Sequence, residues 1–342
     1  MGTVGKTHQG VIMSEDRNST FLSWRSGLAL SLLLVILYLL PLFLADNWLN
    51  LITEMLIMAL AGAALNLLLG DCGIISFGHA GFFAVGAYTF GLLLYYRLAS
   101  FGAAFLLAIA GVILFSLIVG WFLIRLVEIY FSLLCLAFSQ VVWVIVSVWY
   151  SVTGGDDGLN GIPIPGLLFS AGGSYYFVLT VVGVCLLLLF LIRESPFGYS
   201  LHAIRDNRKR SGFIGINQKL HIYIAIVISG LFCGIAGILL VVLLHAAFPG
   251  YASLTKSGDF LFVCLLGGMY HFSGPIVGSF LYILLHFIIH RYTEYWPIFL
   301  GTGLTVIAIF FRGGVVGFAM EKYQSYLFRG RTRNASADRE PA

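Results

Sequence analysis

The sequence predicts an all-α, polytopic transmembrane helix bundle of about ten segments in two inverted halves of five, with broken or short helices near 70–96 and 258–275. Composition is the first reason. Of 342 residues, 60% are hydrophobic and only 10% charged, against roughly a quarter charged in soluble domains. Segment length is the second, because a bilayer core needs about 20 apolar residues per helix. Charge placement is the third. With ten segments, sixteen Lys and Arg residues fall on one side and three, Arg97, Lys256 and Arg291, on the other. That bias assigns both termini to the cytoplasm.

In order, the expected segments run 28–45, 49–69, 81–96, 103–124, 128–150, 174–192, 221–245, 258–270, 274–290 and 296–312. The first is read as a retained span, since a long polar stretch precedes it and Phe43-Leu44-Ala45 is a poor cleavage site. Around the transmembrane domain at 27–318 lie a cytoplasmic N-terminal segment, 1–26, and a cytoplasmic tail, 319–342, expected to be disordered. The net charge of +4 clusters beside apolar runs, which suits lipid headgroups rather than nucleic acid. Five cysteines without CxxC spacing are expected to be free thiols.

Five is odd, so the second half enters the membrane with opposite polarity, as inverted-repeat transporters do. The third and eighth segments then correspond, and both are short and interrupted by glycine. One follows Gly70-Asp71-Cys72-Gly73-Ile74-Ile75-Ser76-Phe77-Gly78-His79-Ala80-Gly81; the other ends in Leu266-Gly267-Gly268 before Gly274-Pro275. Non-helical backbone at membrane depth is tolerated where protein or a water-filled cavity satisfies it. Matched breaks therefore point to a translocation path, and close packing through small residues is the competing explanation.

The path candidates are Asn66, Ser76, Gly78, His79, Tyr88, Ser139, Gln140, Gly267 and Gly268, weak polar groups and backbone suited to passing a solute without trapping it. Asp71 and His79 read better as hydrogen-bonded structural partners within the break than as direct solute contacts, and Gln140 reads equally as a helix-to-helix bond. No catalytic constellation and no metal site is expected. His286 and His290 share a helix face without a carboxylate or Cys beside them. Gly230, Gly234 and Gly237 form a small-residue face for packing within the chain or against a partner.

The loop at 193–221 has a turn at Pro196-Phe197-Gly198, then Leu201 and Ile204 spaced as the apolar face of a short amphipathic helix. Its basic residues serve equally as a docking surface or a positive-inside anchor.

The block Ser76–Tyr88, the segment Thr153–Pro163, this loop with Ala225–Gly237 after it, and the Leu266-Gly267-Gly268…Gly274-Pro275 pair resemble, in that order along the chain, the permeases of branched-chain amino acid ABC importers, the LivM-like subunit family. The resemblance implies a permease domain at 27–318 in a bacterial inner membrane. It implies a path for branched-chain or related hydrophobic amino acids, and it makes 193–221 a coupling loop. Gly198, Ala203, Arg205, Asp206 and Gly215 are its ATPase-coupling candidates. Implied partners are cytoplasmic ABC ATPase subunits, a second homologous LivH-like permease, a periplasmic or lipoprotein substrate-binding protein, and membrane lipid. A sister group carries urea or short amides. Where the family usually has alanines and an acidic residue the chain reads Lys209-Arg210-Ser211-Gly212, and Gln140 stands near a common Glu.

The chain is not expected to be an enzyme or to hold a cofactor. Gly5-Lys6-Thr7 lacks the glycine five positions earlier that a phosphate loop requires, which puts ATP hydrolysis in separate subunits. An ion-coupled secondary transporter is the rival from another class. It should keep an ionisable residue or cation cage near the midplane.

Overall fold

The computed structural model describes residues 37–126 and 128–292, together with 298, 301–302, 313–318 and 322. Half of the expected segment at 28–45, most of the one at 296–312 and nearly all of the two terminal stretches lie outside the described residues. The chain divides into two units, Met1–Leu44 and Ala45–Ala342. In the first, the described part contains a 3-10 turn, Leu40–Leu42, with Pro41 in its opening positions.

The second unit is helical. Its elements are α1 (Asp46–Asn66), which runs on into a π-helical turn (Leu67–Asp71), α2 (His79–Tyr95), α3 (Phe101–Leu123) and α4 (Glu128–Val148). After an outer loop come α5 (Ala171–Arg193), α6 (Pro196–Asp206), α7 (Arg208–Phe213), α8 (Gln218–Leu244), α9 (Leu254–Gly267) and α10 (Gly274–Tyr292). Two short strands, β1 (Leu159–Asn160) and β2 (Ala246–Ala247), pair antiparallel and fasten the loop to the end of α8.

Among the described residues, six helices are long and apolar enough to cross a membrane: 46–71, 101–123, 129–148, 171–193, 218–244 and 274–292. They coincide with six of the expected segments. Burial ranks them. The 46–71 and 218–244 helices are 83% and 78% buried across their most apolar windows, whereas the other four are 28–33% buried. A helix apolar on every side and buried on most of them belongs at the centre, and those with one buried stripe belong at the lipid-facing rim. α1 and α8 accordingly pack on each other, with α2 against α8, α5 and α10 against α1, and α3 against α8.

Small residues set the closeness of this centre. A Cβ at Gly86 of α2 would overlap the Gly234 carbonyl of α8, and one at Gly237 would overlap the Phe83 carbonyl. The glycine face on α8 therefore packs inside this chain, against α2 and α3.

The two remaining apolar helices are shorter. At 1.5 Å per residue, α2 with 17 residues spans about 25 Å and α9 with 14 about 21 Å, both less than a hydrocarbon core of about 30 Å. Each abuts an irregular stretch: 72–78 precedes α2 and 268–273 follows α9. α2 starts two residues before its expected boundary and α9 four before, because Ser253 caps α9 by accepting the Lys256 amide at 3.2 Å.

Candidate functional site

The first break begins in the π-helical turn, a geometry that recurs at functional sites. Gly73 follows with φ +73°, and the Ile74 amide closes the bend on the Leu68 carbonyl at 2.8 Å. The second break opens at Gly268, φ +112°, and closes where the Gly274 amide reaches the His271 carbonyl at 3.0 Å. The breaks touch. A Cβ at Gly70 would overlap the Met269 carbonyl and lie 2.6 Å from Asn66 Oδ1, so only glycine allows this approach.

Both breaks are held by the amphipathic helix that the sequence indicates. Ser195 caps α6, Pro196 occupies its first turn, and Leu201 and Ile204 are fully buried on its inner face. A Cβ at Gly198 would overlap the Arg193 carbonyl, so glycine lets α6 fold back on the end of α5. Asn207 and Asn217 then cap α7 and α8, accepting from the Arg210 and Leu220 amides. The loop is thus two capped helices, with Gly215 at φ +85° between them and α8. Ala203 is half-buried, and Asp206 is exposed, receiving Arg205 Nε at 3.2 Å.

From this platform three cationic or imidazole groups reach the breaks. Arg193 Nε and His202 Nε2 both donate to Asp71 Oδ1, at 2.9 Å each. The second arm of Arg193 donates to the Tyr270 carbonyl at 2.9 Å, and Arg205 donates to the Gly70 carbonyl at 2.6 Å. The Arg205 guanidinium also lies 5.7 Å from the centroid of the Tyr270 ring. A buried carboxylate is tolerable only when paired, and Asp71, 4% exposed in its side chain, is paired twice. Asp71 is therefore not the partner of His79, contrary to the arrangement the sequence favoured.

His79 is the centre of a separate relay. Its Nδ1 lies 2.9 Å from Ser76 Oγ and its Nε2 2.7 Å from Ser229 Oγ, and the Ser229 hydroxyl donates to the Ala64 carbonyl. Because Ser229 spends its proton on a carbonyl, it can only accept from the ring, which puts the hydrogen on Nε2. Nδ1 then accepts from Ser76, whose oxygen lies 3.1 Å from Cys135 Sγ. Both ring nitrogens are satisfied, and His79 and Ser76 are fully buried.

Among the path candidates, Asn66 lies beside Gly70 of the first break, which meets Met269 and accepts from Arg205, and Gly267 and Gly268 lead into the second break. Ser76, Gly78 and His79 form the sealed relay instead, Gly78 lying so close to Cys135 that a Cβ would overlap its carbonyl. Tyr88 and Gln140 lie elsewhere, on α2 and α4 where both pack on the turn Pro249–Ala252, to which Ser139 donates through the Ala252 carbonyl at 3.0 Å. Asn66 Oδ1, Tyr88 Oη, Gln140 Nε2 and Tyr251 Oη are buried without a hydrogen-bond partner among the described residues. Such orphans call for water or a ligand. His286 and His290 stack with centroids 5.6 Å apart, and no cluster of three or more metal-ligating side chains occurs among the described residues.

Between the breaks lies a cavity of about 380 Å³. The first break contributes Leu69, Gly73, Ile75 and Phe77, the second Met269 and Tyr270, α9 adds Leu261 and Leu265, and Arg205 of α6 completes the wall.

A family model described as branched-chain amino acid transport system / permease component matches residues 47–311. The chain belongs to that family. Like this permease family member in sequence are the high-affinity branched-chain amino acid transport system permease protein LivM of Escherichia coli (strain K12) and its namesake in Salmonella typhimurium. Each is 27% identical over 84% of this chain and 74% of its own length. The guanosine ABC transporter permease protein NupQ of Bacillus subtilis is 25% identical over a smaller part, 35% of this chain and 37% of its own. No solved structure matches the chain.

Arg193 and His202 escaped the sequence reading because no local pattern ties them to Asp71, 122 and 131 residues away. Ser229 was readable only as part of an apolar helix.

Proposed function

We propose that the chain is one transmembrane permease subunit of an ATP-driven importer of branched-chain amino acids, seated in a bacterial cell membrane with both termini cytoplasmic. Ten segments within 27–318 form its two inverted halves. Matching partnerships support the inversion. The two most buried helices, α1 and α8, hold equivalent places, as do short α2 and α9, and α2 packs on α3 as α9 packs on α10.

The observation that carries the reading is the cavity between the breaks, walled mainly by Leu69, Ile75, Phe77, Leu261, Leu265 and Met269 and bounded by Arg205. Its apolar lining suits a branched hydrocarbon side chain better than urea. Cytoplasmic ATPase subunits dock on α6 and α7, where Tyr199, Lys209, Arg210 and Phe213 are exposed. When the ATPase dimer closes, displacement of α6 reaches both breaks through Arg193, His202 and Arg205. A LivH-like permease and a substrate-binding protein complete the assembly. ATP hydrolysis belongs to its partners.

Reconstituted with its ATPases, second permease and binding protein, the assembly is expected to accumulate leucine only with ATP, and to continue after the proton gradient is collapsed. Uptake that survives ATP removal and stops with the gradient would establish the ion-coupled rival. Preference for urea over leucine would redirect the substrate.

A further inference from the structure

A second cavity, of about 260 Å³, lies at the other end of α1 from the breaks and is lined by Glu54, Met58, Gly250, Ser253, Thr255, Lys256, Asp259, Tyr282, Ile283 and His286. Glu54 and Leu69 are separated along α1 by about 22 Å. The two cavities thus occupy opposite ends of the same pair of helices, α1 and α9, one charged and one apolar.

The charges are not matched to one another. Asp259 Oδ1 accepts the Tyr282 hydroxyl at 2.5 Å, and Oδ2 lies 3.8 Å from Lys256 Nζ. Those side chains are 16% and 19% exposed, so this pair is largely desolvated. Glu54, by contrast, has no hydrogen bond or ion pair among the described residues. The wall therefore carries two carboxylates against one ammonium and the His286 imidazole, which lies within electrostatic range of both carboxylates, and the ammonium's carboxylate partner stands beyond hydrogen-bond reach. α9 starts here at Ser253, and its N-terminal dipole adds positive character beside Lys256. A neutral solute would bury Glu54 uncompensated, which is unfavourable. Among the described residues, no cluster of three or more His, Cys, Asp or Glu side chains is there to hold a metal ion.

We propose that the cavity between α1, α9 and α10 receives the zwitterionic head of an amino acid, with Glu54 holding the α-ammonium and Lys256 the α-carboxylate. The proposal rests on the permease reading above and sharpens it, because it requires an ammonium-bearing solute and has no use for urea or a sugar. Ser253 and Thr255 supply hydroxyls beside the head group. From there the solute moves along α1 and α9 toward the apolar cavity, which takes up its side chain.

The test uses the full reconstituted assembly, with leucine as probe and loaded binding protein in excess. Glu54→Gln keeps the shape and removes the charge. At equal membrane levels it is expected to lower the initial rate of leucine uptake about tenfold, the equivalent of about 1.4 kcal/mol, while Glu54→Asp retains most of it. Leucine uptake by Glu54→Gln at the unmodified rate overturns the receiving site and leaves the permease reading standing. Failure of the unmodified assembly to take up leucine with ATP sinks the permease reading itself, and the receiving site with it. Should Glu54→Gln not reach the membrane, Lys256→Gln interrogates the carboxylate side with the same expected loss, and an undiminished rate there overturns the proposal.

Discussion

His79 shows how a residue that reads as functional can be explained by bonding. A histidine next to a glycine-rich break is a natural path candidate, but its two nitrogens are committed to Ser76 and Ser229 and its ring is fully buried. Replacing it by alanine would take one hydrogen-bond partner from each hydroxyl, leaving Ser229 on the Ala64 carbonyl and Ser76 beside Cys135, at about 0.5–1.5 kcal/mol for each bond lost. His79→Ala is accordingly expected to lower the thermal unfolding midpoint of the purified chain in detergent. Leucine uptake per inserted molecule should fall far less than it does for Glu54→Gln. A large uptake defect with an unchanged midpoint would return His79 to the path. Asp71 teaches the converse. Its position in the break is plain from the sequence, yet its partners are long-range and no spacing rule reaches them.

Among the elements, α6 was the most legible. Leu201 and Ile204, three apart, give the apolar side of one short helix, and both are fully buried. What α6 grips was not legible, because Arg205 could serve as an anchor, a docking residue or a clamp until its bond to the Gly70 carbonyl is seen. Gly215 has φ +85°, and a Cβ there would meet nothing within 4 Å. A side chain at that position is thus resisted by backbone conformation alone, about 1–2 kcal/mol. Gly215→Leu is expected to insert normally while uptake and binding-protein-stimulated ATP hydrolysis both drop several-fold. Unchanged coupling would count against a role for the α7-to-α8 turn. The two breaks were legible from glycine clustering, and their contact at Gly70 and Met269 was not, since sequence spacing does not report which breaks meet.

For the whole molecule, composition and apolar segment length were enough to indicate a polytopic helical protein, whereas the cytoplasmic placement of 193–221 is an expectation drawn from Lys and Arg alone. All five cysteines are buried, which gives a quiet background for labelling. A cysteine at exposed Tyr199 is expected to react with a membrane-impermeant maleimide only in inside-out vesicles or permeabilised cells. Labelling in intact cells would invert the topology and remove α6 from any ATPase. Depth within the bundle was not legible in the sequence. Hydropathy marks α1 and α8 as apolar much as it marks the rim helices, and only the packing distinguishes centre from edge.

The relay around His79 has a mechanical corollary. Its bonds run from Ala64 in α1 through Ser229 in α8 and His79 in α2 to Cys135 in α4, and the Ala80 amide is tied to Ser257 in α9 at 3.1 Å. Five helices share this one knot, so it acts as a fulcrum: either they swing as a block about it, or a link in it must open on every cycle.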